Sequence, residues 1–231
     1  MSVPTGSPPG DPRPLRSFGR LRGRQLKTGP AERMQTLLPR LALPLEPAAL
    51  AEVLAPWPKV WLEIGFGGGE HLAAQAARAP QVLLLGAEPF VNGLASALGH
   101  LEAANVGNVR LHPGDVRELI AALPDAALSR VFILFPDPWP KLRHHKRRLI
   151  DPAFVAALAR VCAPGARVRF ATDWADYADQ CLAAFATSDA FGWTATRADD
   201  WRLAPDDHVP TRYQEKRLGD CAPLFFEFER V

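Results

Sequence analysis

The chain has 231 residues, of which 48% are apolar, and a formal net charge of +2 at neutral pH. This size fits one α/β domain with an extension, and the apolar content can bury a full core. No apolar run approaches the roughly 20 residues that a membrane-spanning helix needs, so we expect no membrane partner.

The N-terminal segment carries an uneven share of the charge. Residues 1–14 are rich in Pro and Gly and lack the apolar core of a signal peptide, so we expect a disordered tail. Eight basic residues and one acidic residue lie between positions 13 and 40, a local charge of +7. We interpret residues 15–40 as a basic arm that touches a polyanion, and residues 41–231 as the main domain; a solvated tail is the alternative.

From residue 59 onward, short apolar runs alternate with segments of helical periodicity. The patterns predict strands over residues 59–64, 82–87, 109–112, 131–135 and 167–171, and helices over 70–78, 90–104, 115–122, 151–163 and 173–187. Residues 192–196 and 224–228 are predicted as a final strand pair, separated by a long polar loop of functional character. The alternation predicts an α/β fold with a mostly parallel seven-stranded sheet, helices on both faces and a ligand beyond the carboxyl ends of the strands.

The cysteines indicate a reducing compartment. Cys162, Cys181 and Cys221 are odd in number and show no C-x-x-C spacing. We therefore predict free thiols in a cytoplasmic protein and no metal site.

A glycine-rich loop, residues 65–69, follows the first predicted strand. Such a loop lets the backbone approach a ligand closely, and it opens a helix whose N-terminus favours an anion. An ordinary tight turn is the alternative. In a dinucleotide-binding G-x-G-x-x-G pattern starting at Gly65, the third glycine slot is Glu70, whose charge would oppose a pyrophosphate. The sequence therefore disfavours a nicotinamide-dependent oxidoreductase.

Acidic side chains lie at or just after the ends of the first three predicted strands: Glu63, Glu88 and Asp115. We expect Glu88 to accept from ribose hydroxyls and Asp115 from an adenine amino group. The alternatives are a solvated loop residue at Glu88 and a helix cap at Asp115. S-adenosylmethionine combines a ribose and an adenine with a sulfonium and an ammonium but carries no phosphate, so these acids favour it as the cofactor.

The most distinctive segment is LFPDPWPKLRHHKRRLID, residues 134–151. Asp137 and Trp139 stand where a buried strand should surface, directly before Lys141 and the basic run 143–148. Phosphates favour the cations, a base favours the flat ring, and its polar edge favours the carboxylate, which together predict work on a nucleic-acid base. The alternatives are a structural turn at Asp137 and an indole that covers the strand end.

These residues resemble the bacterial tRNA (guanine-N7-)-methyltransferase family from about residue 16 to the C-terminus. The resemblance rests on RSFGR at 16–20, LEIGFG at 62–67, FPDPW at 135–139 with the basic residues that follow, TD at 172–173 and TRYQ at 211–214. It implies a class I, Rossmann-like fold that depends on S-adenosylmethionine. It also implies methyl transfer to N7 of the variable-loop guanine of tRNA, position 46 by convention.

The resemblance also implies roles, position by position. Asp137 resembles the catalytic residue, and the cofactor-contacting positions are Glu63, Gly65, Gly67, Glu88, Asp115 and Asp137. The substrate-contacting positions are Lys141, Asp173, Thr211, Arg212, Tyr213 and Gln214. We expect the tRNA backbone to be bound by Arg16, Arg20, Arg143, Lys146, Arg147 and Arg148. The chain departs from the family at Pro140, where His is frequent, and at Gln214, where Glu is frequent.

Guanine N7 carries a lone pair and no proton, so its methylation needs alignment of the reacting atoms and no base. Asp137 is expected to hold the guanine and to stabilise the positive charge that develops on it. Asp173 is expected to cap the following helix, to contact the guanine, or both. A non-catalytic RNA-binding module on the same fold is the alternative function, and either a monomer or a homodimer is expected.

Overall fold

The computed structural model describes residues 18–19 and 21–231. The predicted tail, Arg16 and Arg20 lie outside these residues. The strands are β1 Val60–Ile64, β2 Leu83–Ala87, β3 Val109–His112, β4 Leu128–Leu134, β5 Cys162–Thr172, β6 Phe191–Trp193 and β7 Leu224–Arg230. The helices are α1 Thr28–Thr36, α2 Leu38–Leu41, α3 Pro47–Leu54, α4 Glu70–Arg78, α5 Val91–Ala104, α6 Val116–Ala122, α7 Pro152–Val161, α8 Ala175–Ala186, α9 Asp199–Arg202 and α10 Arg212–Glu215, with a 3-10 helix over Leu142–Arg147.

The strands form a seven-stranded sheet in the order β3-β2-β1-β4-β5-β7-β6. Strands β1 to β5 are parallel, and β7 runs antiparallel to both β5 and β6. The predicted α/β fold with a mostly parallel sheet is confirmed. The chain winds outward from β1 to β3 and then returns to β4, so the strand order reverses between β1 and β4, where ligands bind in sheets of this kind.

Apolar side chains cover both faces of the sheet. Leu83 and Leu85 of β2 join the larger core with α6, α7 and α8, whereas Leu84 between them joins the core under α4 and α5. Burial on both faces explains why the parallel strands are continuous apolar runs. In the described part of the chain, no helix combines the length and the apolar character needed to cross a membrane.

Two helix starts follow the predicted capping chemistry. The Asp115 side chain accepts from the Arg117 amide at 3.0 Å and caps α6. The Asp151 side chain accepts from the Phe154 amide at 2.7 Å and caps α7, with Pro152 as the first helical residue. Both caps satisfy amides that have no partner within the helix.

The predicted end of α7 is wrong. That helix ends at Val161, and β5 begins at Cys162, so Pro164 and Gly165 lie inside the strand segment. Cys162 already pairs with Leu128 of β4, and Gly165 adopts a left-handed φ of 77°. Pairing with the neighbouring strand thus overrides the local helix-stop signal.

The basic segment is partly helical. Helix α1 and residues 38–40 of α2 lie within the predicted arm, and α1 packs on α5. Arg33 Nε lies 2.7 Å from Glu102 Oε2 across this contact. The polar loop between β6 and β7 likewise contains the one-turn helices α9 and α10.

Candidate active site

A cavity of about 1130 Å³ opens at the carboxyl ends of the parallel strands. It is lined by side chains and backbone from the loops that follow β1, β2, β3 and β4, from α10, and from the segment before α1. The predicted site residues among its lining are Gly65, Gly67, Glu88, Asp115, Asp137, Lys146, Arg147, Arg148, Arg212 and Tyr213. The structure therefore brings together residues that lie up to about 150 positions apart in the chain.

The glycine loop forms the floor of this cavity. Its backbone is exposed to the cavity because glycines carry no side chains that would fill the space. Gly65 and Gly67 adopt left-handed φ values of 67° and 54°. A Cβ atom on Gly93 of α5 would lie 2.6 Å from the Gly67 carbonyl oxygen, so any side chain at this position of the helix would collide with the loop. These positions need glycine for conformation and for packing.

Glu88, at the end of β2, is 7% exposed. Its carboxylate accepts from the amides of Gly67 at 2.8 Å and Phe90 at 2.9 Å. Burial raises the pKa of Glu88 despite these hydrogen bonds, and the charges of Asp137 and Glu63 add to the rise. Each oxygen accepts from one amide and keeps a further lone pair for a ligand hydroxyl.

Asp115 both caps α6 and pairs with Arg117. Arg117 Nη2 lies 2.6 Å from Asp115 Oδ2, and Arg117 Nε lies 2.9 Å from Oδ1. Burial opposes ionisation of this carboxyl, but the hydrogen bonds and charge of Arg117 outweigh it and lower the pKa of Asp115. Asp115 is therefore ionised. It caps α6 and also lines the cavity.

Asp137 lies in a turn with an unusual backbone. Phe135 and Trp139, two residues before and after it, have left-handed φ values of 51° and 44°. Non-glycine residues hold such values only where their surroundings enforce them, and such positions cluster at functional sites. The Asp137 side chain is solvent-accessible, yet the protein around it desolvates it enough to raise the pKa of its carboxyl.

The basic run meets the N-terminal segment at the rim of the cavity. The Arg147 guanidinium carbon lies 5.3 Å from the Phe18 ring centroid and 5.0 Å from that of Trp139. Lys146 lines the cavity with Arg147, whereas Lys141 and Arg143 are exposed outside its lining. The rim is thus cationic, while the interior carries carboxylates.

We expected Arg148 to contact the tRNA backbone, but its side chain is only 1% exposed. Its Nε donates to the Pro138 carbonyl at 2.7 Å, and its Nη atoms reach Asp176 Oδ2 at 2.7 Å and Gln180 Oε1 at 3.0 Å. A buried guanidinium whose donors are used in this way is unavailable to a phosphate. Arg148 instead ties the turn that carries Asp137 to α8.

Glu63 is 2% exposed and is not among the residues that line the cavity. Its carboxylate lies 2.8 Å from His71 Nδ1, and His71 Nε2 lies 3.2 Å from Gln75 Nε2. Its contact with a cofactor stays a prediction. Sequence reasoning missed His71; the polar pair His71 and Gln75, one turn apart in an Ala-rich helix, was the available signal.

The segment 211–216 supplies one wall of the cavity. The Thr211 side chain caps α10 by accepting from the Gln214 amide at 3.3 Å. Tyr213 lies over the glycine loop, where a Cβ on Gly67 would be 3.0 Å from its ring. Burial and the charges of Glu88 and Asp137 raise the pKa of Tyr213. Gln214 is not among the lining residues, and its side-chain oxygen lies 2.6 Å from His208 Nε2.

Asp173 takes a different role from the predicted helix cap. Trp174 is the N-cap residue of α8, and the Asp173 carboxylate accepts from the Gly219 amide at 2.9 Å. The Ala175 amide at the start of α8 donates instead to Asp220 at 2.9 Å. Asp173 therefore holds the end of the loop before β7, and its contact with a guanine stays a prediction.

Asn92 is a cavity residue that sequence reasoning missed. Its side chain accepts from the Gly23 amide and donates to the Arg24 carbonyl, both at 2.7 Å. These bonds hold the segment before α1 against the start of α5, beside the glycine loop. An amide side chain in the first turn of a cavity-lining helix was the only sequence signal. No group of three or more His, Cys, Asp or Glu side chains in the described residues could hold a metal ion.

Solved structures resemble this fold at low sequence identity. The 16S rRNA methyltransferase KamB matches with a TM-score of 0.57 and 17% identity, covering 80% of this chain and 94% of that one. The 16S rRNA (adenine(1408)-N(1))-methyltransferase from Catenulisporales acidiphilia matches with a TM-score of 0.53 and 18% identity, covering 83% and 97%. The fold is that of class I methyltransferases.

Sequence relatives are much closer. The family model described as "Putative methyltransferase" matches residues 58–220. A tRNA (guanine-N(7)-)-methyltransferase of Caulobacter sp. (strain K31) is 54% identical over 94% of this chain and 96% of its own length, and that of Hyphomonas neptunium is 50% identical over 93% and 99%. The chain belongs to the tRNA (guanine-N(7)-)-methyltransferase family, as the motifs of the sequence predicted.

Proposed function

We propose that this protein transfers the methyl group of S-adenosylmethionine to N7 of the variable-loop guanine of tRNA, at position 46. The observation that carries the proposal is one shared cavity: the Asp137 turn, the glycine loop and Glu88 all line it, and basic residues rim it. The names of the relatives at 50–54% identity support tRNA as the substrate and guanine N7 as the acceptor.

The residues of the cavity fit S-adenosylmethionine. A volume of about 1130 Å³ exceeds the 300–1,000 Å³ typical of small-molecule sites, which leaves room for a nucleoside cofactor and a base. Glu88 would accept from the ribose hydroxyls through its remaining lone pairs, and Asp115 from the adenine amino group. The carboxylates of the interior suit a cationic ligand better than a pyrophosphate. Bound there, S-adenosylmethionine supplies an electrophilic methyl group on a cationic sulfur.

Asp137 would act on the guanine by electrostatics and not as a base. Guanine N7 has no proton to remove, and positive charge appears on the purine as the new bond forms. A carboxylate that accepts hydrogen bonds from the purine edge then binds the purine more strongly in the transition state than in the ground state. The partial burial that raises the pKa of Asp137 also strengthens its attraction to such a cation. The strained turn and the Arg148 contact to Pro138 hold this carboxylate in place.

The cationic rim would bind the tRNA backbone. Lys141 and Arg143 are exposed beside the Asp137 turn, and Lys146 and Arg147 line the entrance of the cavity. Trp139 and Phe18 offer flat rings at the same rim, each in contact with Arg147. Charges of this sign and rings of this kind bind single-stranded or splayed nucleotides.

The test is methyl transfer from labelled S-adenosylmethionine to an unmodified tRNA transcript, followed by identification of 7-methylguanosine. A matched transcript with adenine at position 46 is the control for position. A transcript with 7-deazaguanine there is the control for the acceptor atom. We expect label only in the first transcript. Equal labelling of all three, or none by folded protein, would contradict the proposal.

A non-catalytic RNA-binding module is the second candidate. It is favoured by the exposed Lys141 and Arg143 and by Lys146 and Arg147 at the rim, which could bind RNA without a cofactor. It predicts salt-dependent tRNA binding without affinity for S-adenosylhomocysteine, which calorimetry measures directly. Cofactor affinity in the micromolar range would exclude it, since a module without chemistry has no use for Glu88 and Asp115 in one cavity.

A further inference from the structure

The loop between β6 and β7 passes the sheet face opposite the larger core, where one arginine is buried and a second is partly buried. Arg169 of β5 is 4% exposed, and its guanidinium carbon lies 5.8 Å from the Phe132 ring centroid. Arg130 of β4 lies 4.7 Å from the same ring. Asp207, from the loop, joins them: its Oδ1 is 2.6 Å from Arg169 Nη1 and its Oδ2 is 2.8 Å from Arg130 Nη2.

Asp207 is also anchored through its backbone. Its carbonyl oxygen accepts from Gln75 Nε2 and from Arg78 Nη1 of α4, both at 2.7 Å. One loop residue is therefore bound to two strands and to the helix that follows the glycine loop. Such a residue fixes the path of the loop over the sheet.

His208 follows this anchor and contacts the segment that reaches the cavity. Its ring packs edge-on against Phe225 at 4.9 Å, and its Nε2 lies 2.6 Å from Gln214 Oε1. Because the Gln214 oxygen accepts, Nε2 carries the proton and donates. The other ring nitrogen, Nδ1, has no hydrogen-bond partner in the described part of the chain. Gln214 is thus held from outside the cavity and turned away from it.

The segment 211–216, which contains Gln214, is not stable by itself. Helix α10 has four residues, and a single helical turn is unstable without tertiary contacts. Arg212, Tyr213 and Lys216 of this segment line the cavity, with Tyr213 over Gly67. Their placement therefore depends on contacts such as the Thr211 cap and the His208 hydrogen bond.

We propose that His208, anchored by Asp207, is a positioning residue that holds Gln214 and thereby places Tyr213 and Arg212 in the wall of the site. This inference rests on the proposed function for its kinetic consequence, but not for its structural one. It also gives a role to Gln214, where the family frequently has Glu. Here an uncharged amide accepts from His208, and its side chain is directed away from the cavity.

The test compares two substitutions of His208 that place a hydrogen-bond donor at different positions. In His208→Gln the side-chain amide reaches the position of Nε2, whereas in His208→Asn it reaches that of Nδ1. We expect His208→Asn to speed hydrogen exchange of the Glu215, Lys216 and Arg217 amides, which are bonded within this turn, by about three- to tenfold. His208→Gln should restore most of the protection. Amides of β1 and β4 should exchange as in the wild type in both variants.

The same pair is then assayed for methyl transfer. His208→Asn should raise KM for tRNA about three- to tenfold with kcat changed less than twofold, and His208→Gln should return KM toward the wild-type value. Gln214→Leu, which removes the acceptor, should reproduce the exchange effect of His208→Asn and serves if that variant folds poorly. If both histidine variants behave alike in exchange, the positioning role is overturned. Because exchange is measured without substrate, a wild-type protein that transfers no methyl group would end the proposed function alone.

Discussion

Replacing Arg148 tests whether this arginine supports the structure, in contrast to the neighbouring cations that we propose bind phosphates. Arg148→Met keeps an unbranched apolar stem but removes the guanidinium and with it the donors to Pro138, Asp176 and Gln180. A hydrogen bond from a charged group contributes about 1.5–3 kcal/mol. Asp176 is 45% exposed and regains water, so the main loss is the Pro138 carbonyl together with Gln180, about 3 kcal/mol in all.

For a chain of this size, about 3 kcal/mol corresponds to a melting temperature lowered by about 6–12 °C. The control is Arg143→Met, an exposed neighbour in the same basic run. It should leave the melting temperature within about 2 °C and reduce the salt slope of tRNA binding by about 1. Calorimetric melts and tRNA titrations at several salt concentrations measure both quantities. The reasoning is refuted if Arg148→Met melts like the wild type and flattens the salt slope as Arg143→Met does.

Three further substitutions test the carboxylates. Asp137→Asn should lower turnover about 10- to 150-fold. The melting temperature of this variant at pH 7 should equal or exceed that of the wild type. The reason is that the folded-state pKa of Asp137 is raised, so the ionised carboxyl opposes folding above that pKa. A marked drop in the melting temperature would contradict this. Asp207→Ala should lower the free energy of unfolding by about 1.5–3 kcal/mol at pH 7, since Arg169 loses its nearest carboxylate and keeps Glu227 at 3.3 Å. Burial opposes ionisation of Asp207, but Arg169 outweighs burial and lowers the pKa of this carboxyl. Denaturant titrations should therefore show the difference in unfolding free energy between wild type and variant shrinking below about pH 3.9. A difference that stays constant with pH would argue against the ion pair. Glu88→Gln should weaken S-adenosylhomocysteine binding about tenfold by calorimetry with tRNA affinity unchanged, and unaltered cofactor affinity would remove Glu88 from that site.

Local patterns predicted the elements well where one segment contains the whole signal. The helix Glu70–Arg78 and the strand Val109–His112 have the predicted bounds, because periodicity and flanking turns are properties of neighbouring residues. The caps at Asp115 and Asp151 follow from the same short-range chemistry. The end of α7 was misjudged because strand pairing at Cys162, a long-range contact, outweighed a nearby Pro-Gly.

The amino-acid sequence by itself determined the class of fold, the glycine loop, the Asp137 turn and the family, since periodicity, capping and motif spacing all lie within short stretches of chain. Tertiary structure alone decided which charged groups are free. It buried Arg148 on α8, paired Glu63 with His71, and turned Gln214 toward His208. A side chain's role depends on the partner that packing places beside it. Asp176 lies 28 residues from Arg148, and although His71 and His208 are closer in sequence to Glu63 and Gln214, spacing alone does not show that their side chains meet.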